Sequence, residues 1–374
     1  MLKVLHVISD TNLGGAGRYL LTFLEHYDRS RLHVQVLCPP GSRLIELCQG
    51  LGVPVWVSPY LAGDRSFDQR CLLPLLHETR RLLRQQRIDV VHTHASFAGR
   101  LAARLTGVPA IVYTRHRLDW EAPRRGIRKW AYILLNRFTS RRVIAVSEAV
   151  REALVAEGIP RGRISLIYNG IDVEQFRRQA AQSDCRSRLA APGQKVVGVV
   201  GRLEPEKGHR YFLEAAVSIQ EAVPEAVFLV VGDGSLAGEL KEMARQLGIS
   251  EQVLVFTGYR EDIPQLTAAM DVVVVPSLSE AFGFTLIEGM CLGRPCVASA
   301  VGGMREIAED GRTALLVPPG DASAIAEKVV FLLQHPECAD ALGQAAAGEV
   351  ERRFSARTMV DQITELYYQI VGPT

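Results

Sequence analysis

The sequence predicts an α/β protein made of two doubly wound domains, each with a mostly parallel sheet. Three observations carry that prediction. Short runs rich in Val, Ile and Leu recur along all 374 residues, and most are apolar without alternation. That is the pattern of strands covered on both faces. Stretches of helical period separate the runs, which calls for right-handed βαβ units with helices on both sides of a sheet. The runs also fall into two series of about six strands, parted by a polar segment.

In chain order the first series is Val4–Ser9, Val34–Cys38, Val53–Val57, Val90–His94, Ile111–Thr114, Val143–Ser147 and Ile164–Tyr168. Arg18–His26, Leu72–Gln85 and Ala149–Glu157 carry helical patterns between them. Asn169-Gly170 marks a turn, and the polar stretch Arg177–Pro192 that follows lacks strand character. The second series is Val196–Gly201, Val227–Val231, Val253–Gly258, Val272–Ser277, Pro295–Ser299 and Ala314–Val317, with Tyr211–Glu221 as a helical interval. Ser355–Val371 reads as one amphipathic helix with no strand after it. The expected division is therefore 1–172, 173–354 and a terminal helix within 355–374. In open α/β sheets ligands bind at the carboxyl ends of strands, so two such domains place a cleft between those ends.

Composition narrows the class. Apolar residues make up 48% and charged residues 22% of the chain, which excludes a disordered or fibrous protein. No apolar run approaches the roughly 18 residues that span a bilayer. The apolar part of Met1–Asp10 is too short for a signal peptide. Seven scattered cysteines with no Cys-x-x-Cys pair speak against a disulfide framework or thiolate zinc site, and for a reducing cytoplasm. The net charge of +2 hides an asymmetry: residues 1–175 hold 25 Lys and Arg against 15 Asp and Glu, and the remainder holds 18 against 26. Such halves suit different partners, one of them anionic.

The motifs fall just after strands. Asp10-Thr11-Asn12-Leu13-Gly14-Gly15-Ala16-Gly17 follows the first, where glycines admit a ligand to the backbone and the next helix start favours anions. The spacing is not Gly-x-Gly-x-x-Gly, so no dinucleotide site is specified, and an ordinary strand-to-helix turn reads equally well. Gly201-Arg202-Leu203-Glu204-Pro205-Glu206-Lys207-Gly208 puts a planar Arg fork and a mobile Lys charge on one loop, a diphosphate clamp. In Ser279-Glu280-Ala281-Phe282-Gly283-Phe284-Thr285-Leu286-Ile287-Glu288, the two acids are eight apart. On a helix that spacing sets both carboxylates along one face, suited to sugar and ribose hydroxyls. The loop Ala281-Phe282-Gly283 would open the helix and aim N–H groups at a phosphate, with Glu280 at the rim and Glu288 deeper. His92 and His94, at i and i+2 on a strand, point the same way, but no third metal ligand is evident. His116 ends the next strand, at a cleft position.

Together these residues resemble the retaining family-four glycosyltransferases of GT-B architecture. The resemblance spans nearly the whole chain: the Gly-Gly loop, the strand-end His, Gly-Arg-x4-Lys-Gly and Ser-Glu-Ala-Phe-Gly-Phe-x3-Glu. It implies two Rossmann-like domains facing across a cleft, with the last helix crossing back to the first. Arg202 and Lys207 would hold the donor diphosphate, Glu288 the ribose hydroxyls and Glu280 the transferred sugar. Backbone amides of Phe282, Gly283 and Phe284 would sit on phosphate or sugar oxygens, and Ala281, Thr285 and Gly201 would also contact the donor. Gly258, Tyr259 and Arg260 would read the base, His116 would contact the donor sugar, and Gly14 and Gly15 would lie under phosphate and acceptor. Relatives often carry an acid shortly after the paired glycines; here Gly17 and Arg18 stand there instead.

The implied reaction moves a hexosyl or N-acetylhexosaminyl group from a nucleotide-diphosphate sugar, UDP favoured, to a hydroxyl acceptor on a lipid-linked saccharide, a lipid or a small metabolite. Polysaccharide or glycoconjugate synthesis is the expected setting, with no cofactor and no metal. A nucleotide-sugar 2-epimerase and a non-catalytic sugar-nucleotide sensor are the alternatives. Residues 115–142 carry nine Lys and Arg against two acids, interleaved with aromatics. An anionic membrane surface is thus a candidate partner for a cytoplasmic, peripheral protein, weighed against a core-packed helix with a solvated basic face. Nucleic acid is not expected, since no recognised binding module is present.

Overall fold

The computed structural model describes residues 1–11, 14–61, 69–94, 96–118, 133–134, 136, 138–182 and 185–372. The chain divides into two compact units, Met1–Gly170 with Ala356–Thr374, and Ile171–Ser355. The division falls within Asn169–Asp172, and the terminal helix Ala356–Val371 belongs to the first unit.

The first unit holds β1 (Leu2–Ile8), β2 (Leu32–Cys38), β3 (Val55–Val57), β4 (Val90–His94), β5 (Ala110–Arg115), β6 (Arg142–Ala145) and β7 (Ile164–Leu166). They form one sheet in the order β3-β2-β1-β4-β5-β6-β7, and every pair is parallel. β1, β4 and β5 are almost wholly buried, as their unbroken apolar character requires. One face packs on the helix Gly15–His26 and on the last helix, which adds Met359, Val360, Ile363, Leu366, Tyr367 and Ile370 to a core with Leu20 and Phe23. The other face packs on Leu75, Leu82, Leu83, Ala98 and Ala103.

The second unit holds β8 (Lys195–Val200), β9 (Ala226–Val231), β10 (Leu254–Gly258), β11 (Val272–Val275), β12 (Cys296–Ser299) and β13 (Leu315–Val317). Their order, β10-β9-β8-β11-β12-β13, is again all parallel. Every expected strand is found, with ends moved by up to two residues. The polar stretch after the turn carries the helices Val173–Ala180 and Arg186–Leu189; Asp172 caps the first by accepting from the Gln175 N–H at 2.9 Å.

In both sheets the strand order reverses beside the first strand, between β1 and β4 and between β8 and β11. Crevices at such switch points, outside the carboxyl ends of the strands, are where doubly wound sheets take ligands. The loops after β8 and β11 are the two that carry the basic and acidic motifs.

Candidate active site

β8 leads through Gly201 into a short turn, Pro205–Lys207, closed by Gly208 at φ 67°. A Cβ at Gly208 would sit 2.1 Å from the Pro276 carbonyl oxygen. Only glycine therefore lets the loop after β8 meet the segment after β11 backbone to backbone. The contact is laced by the Leu278 N–H donating to Glu206 O at 2.8 Å. It brings Lys207 Nζ to 2.6 Å from Glu280 Oε2, with both side chains mostly buried.

The helix after the acidic loop is Phe284–Cys291, with Gly283 at its entry in a positive-φ conformation, φ 120°. A Cβ there would come within 2.9 Å of Met304 Cγ. Glu280 O accepts from the Gly303 N–H at 3.1 Å, and Thr285 Oγ1 donates to Val200 O at 3.2 Å, fixing the helix start against the end of β8. Leu286 and Ile287 N–H both donate to Gly283 O. The N–H groups of Phe284 and Thr285 thus precede the first intrahelical bond and head the helix as anion donors. Glu288 is buried a turn deeper, at 5% exposure. The Glu-x7-Glu spacing is not two turns of one helix: Gly283 leaves the α conformation, so Glu280 stands on the preceding loop and meets Lys207 instead.

The remaining expected residues of this unit are placed as follows. Arg202 is exposed and donates to Glu206 Oε1 at 2.8 Å, so it does not share Lys207's partner. Gly258 ends β10 at φ 69°, its carbonyl accepting from the Gly232 N–H at 3.0 Å, and Gly232 in turn abuts Gly201. Tyr259 is exposed, and Arg260 holds Asp262 through two bonds of 2.7 and 2.6 Å. Sequence reasoning did not single out His209, which follows Lys207-Gly208. It is buried, neither ring nitrogen has a hydrogen-bond partner, and burial and the nearby Lys207 push it down to about 4. Its place directly after Lys207-Gly208 was the available signal.

Gly14, Gly15 and His116 lie in the first unit. Gly14 is the N-cap of Gly15–His26, with open space where a Cβ would go. Tyr19 on that helix meets the His116 ring edge-on at 4.9 Å. His116 in turn touches a group the spacing argument did not find. His6 on β1 stands in register with His92 on β4, so His6, His92 and His94 share one sheet face, and the Tyr367 hydroxyl reaches them from the last helix. A third imidazole therefore does accompany His92 and His94, and nitrogens of the three lie within 4.8 Å of one another. Each of their six ring nitrogens already has a hydrogen-bonding partner. Burial pushes His6 down to about 3 and lowers His92, His94 and His116 well below the ordinary imidazole value.

Of the basic segment 115–142, residues 119–132, 135 and 137 lie outside the described residues. Arg115 itself is buried, pairs with Glu157 at 2.9 Å and donates to the Arg117 carbonyl at 2.8 Å. That cation serves the fold rather than a surface.

Comparison with known proteins completes the assignment. The family model described as "Glycosyltransferase Family 4" matches residues 13–175, and "Glycosyl transferases group 1" matches 182–349. An Escherichia coli UDP-Gal:alpha-D-GlcNAc-diphosphoundecaprenol alpha-1,3-galactosyltransferase is 29% identical, over 99% of this chain and 97% of its own. A Streptomyces fradiae 2-deoxystreptamine N-acetyl-D-glucosaminyltransferase is 31% identical, over 93% of this chain and 84% of its own. Among solved structures, HepE of Anabaena in complex with UDP-glucose superposes with a TM-score of 0.83 at 24% identity, covering 98% of this chain and 99% of its own. With its two parallel-sheet units and these matches, the chain belongs to the family-four, group 1 glycosyltransferases and has the GT-B fold.

Proposed function

We propose that the protein transfers a hexosyl or N-acetylhexosaminyl group from a UDP-sugar to a hydroxyl acceptor, with retention at the anomeric carbon and without a metal ion. The observation that carries this reading is the meeting of Lys207, Glu280 and the amide-headed helix Phe284–Cys291 at the carboxyl ends of β8 and β11. Breaking the donor's glycosidic bond puts negative charge on the distal phosphate. Lys207, Arg202 released from Glu206, and the helix N–H groups supply positive charge where it develops. That set takes the charge-neutralising part a divalent ion plays elsewhere. Glu280 accepts from sugar hydroxyls and Glu288 from the ribose, while the backbone around Gly258 takes the base. The acceptor hydroxyl attacks from the face the phosphate leaves, and a phosphate oxygen takes its proton.

The choice of UDP and of a lipid-linked saccharide follows the name of the Escherichia coli relative. A membrane-borne acceptor gives the basic stretch a role at an anionic surface in polysaccharide synthesis. The test is thermal melting with UDP, GDP, ADP and dTDP, with and without magnesium. A nucleotide at a hundred times its Kd adds about 2.7 kcal/mol. A rise with UDP alone, unchanged by magnesium, is expected, and product NMR should show the donor's anomeric configuration kept. A response that requires magnesium, or an inverted product, would overturn the reading.

A further inference from the structure

The buried histidines of the first unit form a single file of hydrogen bonds. Thr114 Oγ1 lies 2.6 Å from His92 Nε2, and His92 Nδ1 lies 2.5 Å from the Tyr367 hydroxyl. That hydroxyl is 3.4 Å from His6 Nε2, and His6 Nδ1 is 3.0 Å from His94 Nε2. His94 Nδ1 then lies 3.0 Å from His116 Nε2. Thr114, His92, His6, His94 and Tyr367 are all fully buried.

A neutral imidazole has one N–H and one bare nitrogen, so each ring donates on one side and accepts on the other. In an unbranched file the choice made at one ring is passed to all of them. Thr114 sets the sense. Its buried hydroxyl must place its own proton; the Tyr19 hydroxyl is its other polar neighbour but stands outside hydrogen-bonding geometry, whereas His92 Nε2 lies at 2.6 Å. With Thr114 donating, every ring accepts at Nε2 and donates at Nδ1. With the sense reversed, the Thr114 oxygen accepts and its own proton finds no imidazole.

We propose that Thr114, His92, Tyr367, His6 and His94 are positioning residues that fix the proton of His116 on Nδ1, so that His116 presents an N–H donor to the donor sugar. The last clause rests on the proposed function; the file itself does not. Burial keeps the rings neutral at physiological pH, as the file requires. The file also gives the last helix a chemical task, because Tyr367 is the link between His92 and His6.

The test is nitrogen-15 NMR of histidine-labelled full-length protein, which separates Nδ1–H from Nε2–H rings. Free imidazole side chains favour Nε2–H, so the expected result is distinctive: His6, His92, His94 and His116 all as Nδ1–H. Tyr367→Phe removes one hydroxyl and keeps the ring, and Thr114→Val removes the starting hydroxyl and keeps the shape. Either should move His116 away from pure Nδ1–H. With the proposed donor, Tyr367→Phe should lower kcat about tenfold to a hundredfold, the range for losing a partner that orients an imidazole, with little change in KM. Uniform Nε2–H rings, mixed tautomers in the native protein, or a His116 tautomer unmoved by both substitutions would overturn the proposal. So would one equivalent of tightly held divalent metal in the purified protein, with metal-bound nitrogen shifts. A His116 tautomer that moves while kcat stays native would sink the contact with the sugar and leave the file standing.

Discussion

Lys207 and Glu280 occupy each other in this structure, and that bears on how a diphosphate enters. On the proposed reading, in which Lys207 holds the donor diphosphate, its ammonium must exchange a carboxylate for a phosphate, so Glu280 would compete with the ligand for Lys207. A partly exposed ion pair is worth about 1 kcal/mol, which is roughly fivefold in affinity. Glu280→Gln should therefore bind free UDP about fivefold more tightly by calorimetry, while transfer slows because the sugar hydroxyls lose their anionic acceptor. Weaker UDP binding in that variant would show that Glu280 does not compete. Lys207→Met removes the cation itself. Losing one donor aimed at developing charge costs about a hundredfold to a thousandfold in kcat, and a steady-state assay should find a drop of that order. The types of these residues were legible in the sequence, but their pairing was not. Motif spacing assigned each a ligand and could not show that they meet across 73 residues.

At the scale of elements, strands were the most legible feature. An unbroken run such as Val272–Val275 is buried on both faces, and few other structures accept four β-branched residues in a row. The start of the helix after β11 was legible, since Ala281-Phe282-Gly283 reads as the loop that opens it and Phe284 is its first residue; the place of Glu280 off that helix face was not. Acids at eight-residue spacing fit two helical turns, and only the positive φ at Gly283 cancels that fit. The glycines of the motifs also looked alike in sequence and differ in the structure. Gly208→Ala would drive a Cβ into the Pro276 carbonyl, in a conformation that disfavours any side chain. It should lower the stability of the second unit by about 2 kcal/mol or more. Gly14→Ala meets no atom within 4 Å and a negative φ. It should change stability by less than about 1 kcal/mol, the scale of an N-cap change. Calorimetric melting of both variants checks the contrast, and equal losses would mean that the loop after β8 yields where the structure holds it rigid. Should Gly14→Ala melt normally and yet lose transfer, the space beside Gly14 is occupied by substrate.

Over the whole molecule, the charge difference between the halves pointed to unlike partners, and a second asymmetry of titration came from contacts far apart in sequence. His6, His92, His94 and His116 all belong to the first unit, while in the second His209 is the one imidazole pushed down by burial among the described residues. In the unfolded chain an imidazole gains its proton near 6.5; in the fold His6 resists until about 3. Between those values the unfolded state binds more protons. Stability is thus complete above about pH 6.5 and falls as pH falls, by up to about 1.4 kcal/mol per pH unit for each such ring. Four rings against one make the first unit the more acid-sensitive. All three tryptophans fall within residues 1–170, and Trp56, whose indole donates to Gln35 Oε1 at 2.8 Å, reports on that unit, whereas far-ultraviolet circular dichroism follows both. Lowering the pH from 7.5 to about 5 should bring down the fluorescence-detected melting temperature well before the main loss of ellipticity. The order should survive in Arg202→Ala, whose change lies in the other unit. Two probes that fall together across that range would mean that the first unit is no more acid-sensitive than the second, and that the buried imidazoles do not set the order.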